Sequence, residues 1–533
     1  MVSIRASLAS FVFVFAAIDA KNVYRRPPPS NNWTEKTQRA VDFVRAQHAI
    51  SGSPGWALAI YGNPTSVVTP DTMFQIGSVT KSLVAVGIAK LVDDGLVAWH
   101  DPIKQHMPWF ELTDKYAEKY TTVHDILAMN TVFGEADTDN QLSLGVFKSE
   151  REAVEMLKYF ETSRSFREGY AYANVNFVIA GQLIASVTNQ TWGDYLRDHI
   201  FLPLGMTNTH GKAADVPSLA ARSFGHFVCG GNLAGPYDVN FANISALPHF
   251  GDASGTAISS IHDMAIFAQF LLNKGAPLFK SPQAISDMVT GHEIQTWFSG
   301  DFGATWGYHF YPQGGDALAA GYGIDVVGQA LYPGVDYYDK NGDTAAHQTR
   351  TGFVPSQDLA VVLINNGHVN DLQSNYQRLS NVRTYIIGLL LDLPEAELLE
   401  TWEASVRVSD AMGSQPCEPH IYQGTPYKGT FTLLEPEKDW LVGNYTSIKS
   451  PKFNGHLSIY QAGGALHLRY GWFDGALVAQ TNDTFVWDIM FASITFTVGV
   501  KKTADGAPVV GFVMGGPGNE FDESFVFTKV ASL

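Results

Sequence analysis

Lysine and arginine are scarce in this chain: 35 of them face 52 aspartates and glutamates, a formal net charge of -17 over 533 residues. A phosphate backbone is held by a basic face, so this balance argues against a nucleic-acid partner and leaves small-molecule substrates open. Cysteine is scarcer still, with only Cys229 and Cys417. In an oxidising compartment they could form one disulfide, and two separate thiols fit the sequence equally well. There is no C-x-x-C and no H-E-x-x-H, so neither a metal nor a cofactor has support in the sequence. G-x-S-x-G is missing, which disfavours an α/β-hydrolase; so is G-x-x-x-x-G-K-S/T, and "GYGIDVVG" (Gly321 to Gly328) lacks dinucleotide spacing.

Long apolar runs are also lacking beyond the first residues, and nothing there could span a bilayer. At the start, Arg5 precedes "LASFVFVFAA" (Leu8 to Ala17), and small residues follow to Ala20. That is the pattern of a cleaved signal peptide over residues 1–20 rather than a membrane anchor. Five N-x-S/T sequons, at Asn32, Asn189, Asn243, Asn444 and Asn482, suit N-glycosylation and agree with secretion. The sequence therefore predicts a secreted eukaryotic protein with no nucleic-acid or membrane partner, and leaves its oligomeric state open.

What is present is a large core. Hydrophobic residues make up 45% and aromatics 12% of the chain, which excludes disorder, and the length suits one large domain plus a smaller one. Helices are predicted at Lys81 to Asp94, Val175 to Val187 and Ser259 to Gly275, the last with Ile261, Met264, Phe267 and Leu271 at helical spacing. "LAVVLINNG" (Leu359 to Gly367) reads as a strand. Turn formers from about Ser409 to Thr430 suggest a linker, assigned to residues 396–430. Beyond it the apolar period becomes two: "ALHLRY" places Leu466, Leu468 and Tyr470 on one face, and "SITFTVGVKK" and "PVVGFVMGG" behave alike around the turn "KTADGAP". This predicts a small antiparallel β-barrel at 431–533, after a larger domain at 21–395.

The chemistry gathers in "GSVTKSLVAVGIAKLVDDG". Residues three apart share a helix face, so Ser78 and Lys81 can meet. A serine hydroxyl becomes nucleophilic when a neighbouring base takes its proton, and a helix N-terminus offers N–H groups to an oxyanion. Serine is equally a favoured helix cap, so this pair alone decides nothing. Two further triplets follow: Tyr172-Ala173-Asn174 ahead of a helix, and Lys340-Asn341-Gly342 ahead of a strand. Asn174 alone would be an ordinary cap, and Lys340 alone a solvated hairpin lysine beside an Asn-Gly turn.

The order S-x-x-K, Y-x-N, K-x-G resembles the serine β-lactamase and penicillin-binding-protein superfamily, in the branch of class C β-lactamases and related esterases, D-aminopeptidases and acyltransferases. "DTMFQIGSVTKSLVAVGIAKLVDDGLVAWHDPI", "TTVHDILAMNTVFGEAD", "YANVNFVIAGQLIASVTNQTW", "IFLPLGMTNT" and "ASGTAISSIHDMAIF" look like its landmarks, in its order. The resemblance implies an α/β (α+β) β-lactamase/transpeptidase-like fold, an antiparallel sheet flanked by helices with a helical subdomain. "WLVGNYTS" (Trp440 to Ser447) looks like the barrel appended to many of these hydrolases.

It also implies roles. Ser78 would be acylated, Lys81 would accept or relay its proton, and Tyr172, held partly as phenolate by two lysines, would be the general base. Lys340 would supply that field and orient substrate, and Asn174 would bond to Lys81 and to the acyl side. The oxyanion hole would be the backbone N–H groups of Ser78 and of Asp343, next to Gly342. The third motif departs from the His-x-Gly of many relatives, "TAAHQTR" replaces a glycine-richer stretch, and "LAMNTVFGEAD" also differs. His347 reads as structural more readily than as an extra base. The expected activity is cleavage of an ester or amide bond in a small molecule or peptide, without cofactor. Acyl transfer to an alcohol or amine, and a non-catalytic scaffold keeping the fold, stand as alternatives.

Overall fold

The structure is a computed structural model that describes residues 30–51, 69–135, 137–216, 222–229, 232–237, 252–295, 318–332, 334–344, 347–369, 374–411, 426–491, 494–513 and 521–531. The expected signal segment 1–20, Asn243 and Cys417 lie outside these residues. No helix among the described residues is long and apolar enough to cross a membrane.

A six-stranded antiparallel sheet organises the larger part, in the order Leu359–Asn365, Gln348–Val354, Tyr337–Asp343, Ile324–Gly328, Leu318–Gly321, Glu293–Gln295. The strands Tyr337–Asp343, Gln348–Val354 and Leu359–Asn365 are buried on both faces, and alternate residues feed two separate cores. Tyr338, Phe353, Ala360 and Ile364 join the core built by the helices Thr80–Asp93, Val175–Thr188 and Ile261–Leu272. Tyr337, Val354, Val361 and Leu363 face the opposite way, onto Ala40 and Val44 of one helix and Val382, Ile386 and Leu390 of another. A layer of helices therefore covers each side.

The helix Thr80–Asp93 is apolar on nearly every face, and Leu83, Val84, Val86, Ile88 and Leu91 are fully buried. A helix this apolar belongs at the centre of a large domain. The helix expected from Ser259 begins instead at Ile261. Residues Ile258–Ser260 form a short strand paired with Met73–Gln75, and Ser260 caps the helix by accepting from the Asp263 N–H at 3.1 Å.

Residues 396–430 do not begin as a linker: Glu395–Ala411 is a helix. Leu398 and Trp402, four residues apart, pack on the core beside Tyr385 and Phe43, a spacing that the surrounding acidic residues disguise in the sequence. Residues 412–425 lie outside those described.

The C-terminal part is a closed eight-stranded antiparallel barrel from Gly443–Ser447 to Phe521–Val530, whose first and last strands pair. Leu466, Leu468 and Tyr470 point inward with Trp487, Phe512 and Phe527. The barrel sits against the segment that follows Asp139. Leu144 enters its apolar cluster, Gln141 bonds Asn454 at 2.6 Å, the Trp472 N–H donates to the Leu144 carbonyl at 2.9 Å, and Phe160 meets Phe453.

Candidate active site

Ser78 lies in a tight turn, Gly77–Val79, that leads into the buried helix. The N-cap of this turn is Ile76 and that of the following helix is Val79, so the reading of Ser78 as a cap is set aside. The Ser78 hydroxyl is instead held from two sides. The Lys81 ammonium donates to Oγ at 3.0 Å, and the Tyr172 hydroxyl donates to it at 2.7 Å. Lys81 has no exposed surface; its other hydrogen bonds go to Asn174 Oδ1 at 2.5 Å and to the Ser254 carbonyl at 2.7 Å. Three acceptors thus serve the three donors of an ammonium, the condition under which a buried cation is tolerated.

Asn174 sits at the N-cap of the helix Val175–Thr188 but does not cap it. Its carbonyl oxygen faces Lys81 and its amide donates to Asp139 Oδ2 at 2.7 Å. Burial pushes the Asp139 carboxyl up to about 7, against the pull of Lys81 and Asn174. Burial likewise raises Asp252, which accepts from the backbone and the hydroxyl of Ser254, and Glu150, which accepts from the Ala253 N–H.

Lys340 lies in the middle of the strand Tyr337–Asp343, so Asn341-Gly342 is strand and not a hairpin turn. Its ammonium, 2% exposed, donates to the Tyr172 oxygen at 3.4 Å and pairs with Asp325 at 2.5 Å. Burial works against that ammonium, but Asp325 and Tyr172 outweigh it and hold its pKa above the ordinary lysine value. Both lysines also lie over the Tyr172 ring, 4.9 and 5.0 Å from its centre.

Gly342 and Asp343 bring this strand against the serine turn. A methyl group on Gly342 would stand 2.0 Å from the Ile76 carbonyl oxygen, and one on Gly77, whose φ is +53°, would stand 2.5 Å from the Asp343 nitrogen. Only glycine permits that approach. It sets the Asp343 amide beside the turn that carries the Ser78 amide, the arrangement two converging donors require. The Asp343 carboxyl pairs with Arg350 at 2.9 Å, and burial raises its pKa against that cation.

His347 is fully buried, edge-on to Phe74, and burial drives its pKa down to about 3. It is a neutral packing residue at neutral pH, and the Ser78 oxygen accepts from Lys81 and Tyr172 instead. Of the departing segment, Asn130 is buried, donating to Glu293 at 2.8 Å and accepting from the Gly169 N–H at 2.9 Å. Its neighbour Met129 is held at φ +55° on the wall of the pocket. A non-glycine residue in that region stores strain of about 1 kcal/mol. Asn32, Asn189 and Asn482 are exposed, whereas Asn444 lies half-buried in a barrel strand and accepts from Ser458 at 3.0 Å.

The sequence reading missed Asp325, Asp139 and the Ser254 carbonyl. Asp325 had a signal: the register Val326↔Asp339 sets it opposite Lys340 on the neighbouring strand, so an isolated acid and base share one cross-strand position. The other two contacts join distant segments and leave no local pattern.

Comparison with known proteins follows the same lines. The chain is similar to an unguisins hydrolase of Aspergillus campestris, 29% identical over 311 residues, 56% of this chain and 53% of that one. It is also similar to penicillin-binding protein 4 of Amycolatopsis lactamdurans, 24% identical over 364 residues, 62% of this chain and 85% of the other. The matched region therefore spans about half the length of the first relative. Among solved structures, an octameric penicillin-binding protein homologue from Pyrococcus abyssi aligns over 86% of this chain and 89% of its own, with a TM-score of 0.48 and 19% identity. A D-amino acid amidase from Ochrobactrum anthropi SV3, complexed with D-phenylalanine, aligns over 64% and 88%, with a TM-score of 0.48 and 21% identity. These two likenesses concern fold alone. The sequence model of the Beta-lactamase family matches residues 40–382, more than half of the chain, and the protein belongs to that family of serine hydrolases.

Proposed function

We propose that the chain is a secreted serine hydrolase that cleaves an ester or amide bond through an acyl-Ser78 intermediate. One observation carries this reading: the Ser78 oxygen lies between the Lys81 ammonium and the Tyr172 oxygen, at 3.0 and 2.7 Å. In the reacting form the hydrogen bond between Ser78 and Tyr172 runs the other way, from the serine hydroxyl to a deprotonated Tyr172 oxygen, which takes the proton as Oγ attacks the carbonyl carbon. The oxyanion that forms is received by the amides of Ser78 and Asp343, each donor worth about 3 kcal/mol of transition-state stabilisation. Tyr172 then gives its proton to the departing oxygen or nitrogen. Water enters, loses a proton to Tyr172 and attacks the acyl carbon, and Ser78 recovers its proton as the acid leaves.

An alcohol or amine in place of that water makes the same centre an acyltransferase. The relative named as an unguisins hydrolase supports the hydrolytic reading, and the leader at residues 1–20 with its downstream sequons supports secretion. The test is intact-mass detection of a covalent adduct after exposure to p-nitrophenyl esters and a β-lactam. Wild type should gain the acyl mass and Ser78→Ala should not. No adduct across a broad acyl panel would leave the non-catalytic scaffold as the better reading.

A further inference from the structure

Of the cations near Ser78, Lys340 and Arg350 are matched by acids of this chain, and Lys81 has its three donors taken by neutral oxygens. Lys340 and Asp325 form an ion pair at 2.5 Å with side chains 2% and 14% exposed. The second Asp325 oxygen accepts the Asn341 N–H at 3.1 Å, so the carboxylate is fixed at both ends. Arg350, fully buried, pairs with Asp343 at 2.9 Å, and Arg383 pairs with Asp339 at 3.0 Å, also without exposure. Lys81 meets three oxygen acceptors. The internal segments outside the described residues contain no lysine or arginine. The pocket beside Lys81 and Lys340 is otherwise lined by Leu127, Met129, Tyr170, Ile324, Gly321 and Gly323, with Asp325 as the acid on its wall.

A carboxylate brought into such a pocket loses its hydration and finds Lys340 already paired with Asp325 and the donors of Lys81 already taken. To reach Lys340 it must displace Asp325, which leaves one of two acids desolvated and unpaired. An uncharged group meets neither cost, and rejection by an unpaired charge is an effective source of selectivity.

We propose that the site selects acyl donors that are uncharged around the scissile bond, and that Asp325 sets this selectivity by occupying the Lys340 ammonium. The proposal rests on Ser78 being the acylated nucleophile. Asp325 is a positioning and specificity residue here: it acts through Lys340 and takes no proton in the reaction.

The experiment uses two phenylacetyl esters that share an acyl group and differ only in the leaving group, 3-hydroxybenzoate against its methyl ester. Each kcat/KM is divided by the rate of the same ester with hydroxide, which removes intrinsic reactivity. Wild type should favour the methyl ester by about tenfold or more. Asp325→Asn and Asp325→Ser, with folding checked by circular dichroism, should shift that ratio toward the carboxylate ester by about tenfold. A general loss of activity in the variants cancels in the ratio. A wild-type ratio near one, or one favouring the carboxylate, overturns the proposal, as does an unchanged ratio in a folded variant. If both variants fail to fold, the wild-type ratio alone decides. Both esters deliver the same phenylacetyl group to Ser78, so its mass separates the two ideas: an adduct without discrimination sinks the selectivity alone, and no adduct from either ester sinks the nucleophile.

Discussion

Lys81 and Asn174, ninety-three positions apart, meet at 2.5 Å between ammonium and side-chain carbonyl. That contact holds the lysine by a partner other than the serine. Asn174→Ala should lower kcat about 10- to 100-fold with little change in KM, matching a hydrogen bond to a charged group worth about 1.5–3 kcal/mol. Steady-state kinetics on a p-nitrophenyl ester checks this, and unchanged kcat would remove Asn174 from the machinery.

Tyr172→Phe deletes one oxygen and leaves the ring under both lysines. Turnover should fall about 10²–10⁴-fold, the range for a lost general base, while thermal unfolding stays near wild type. Near-normal turnover would assign the proton to another group.

Gly342→Ala should act on the fold first. The added methyl would stand 2.0 Å from the Ile76 oxygen and 2.9 Å from the Val79 nitrogen, both backbone atoms that cannot step aside. A loss of more than about 3 kcal/mol is expected in urea denaturation, with activity lost alongside. An unchanged midpoint would contradict the close approach of strand and serine turn.

Asp139 makes a pH-dependent prediction. Burial raises its carboxyl to about 7, so the folded chain keeps a proton that the unfolded chain releases near pH 4. Unfolding free energy on this group therefore falls as pH rises from about 4 to about 7, and is flat beyond. Asp139→Asn has no such slope, while Asp252 and Glu150, raised in the same sense, persist in both proteins. The gain in melting temperature over wild type should be larger at pH 8 than at pH 5. Equal offsets at the two pH values would refute the assignment.

These four residues differ in how far the sequence reveals them. Tyr172, Asn174 and Gly342 stand in short triplets, and the apolar helix behind Ser78 marks a buried segment before any coordinates exist. The inward face of "ALHLRY" is legible for the same reason, since a period of two needs only neighbouring residues. Asp139 is illegible: its meaning depends on Asn174, which a different helix delivers. Lys340 shows the reverse failure, because Asn-Gly beside a lysine carries a strong turn signal. Ladder pairing with the strands on either side, Ile324–Gly328 and Gln348–Val354, overrides it.

Leu144 belongs to two bodies at once. Its side chain completes the interior of the barrel and its carbonyl receives the Trp472 N–H, yet it stands five residues beyond Asp139 and the contact with Asn174. The barrel is therefore no detachable ornament: it anchors the cord that tethers the acid behind Lys81. Descendants of this chain are not free to trade one barrel for another as interchangeable parts. Each new barrel inherits the duty of holding that cord at the same length.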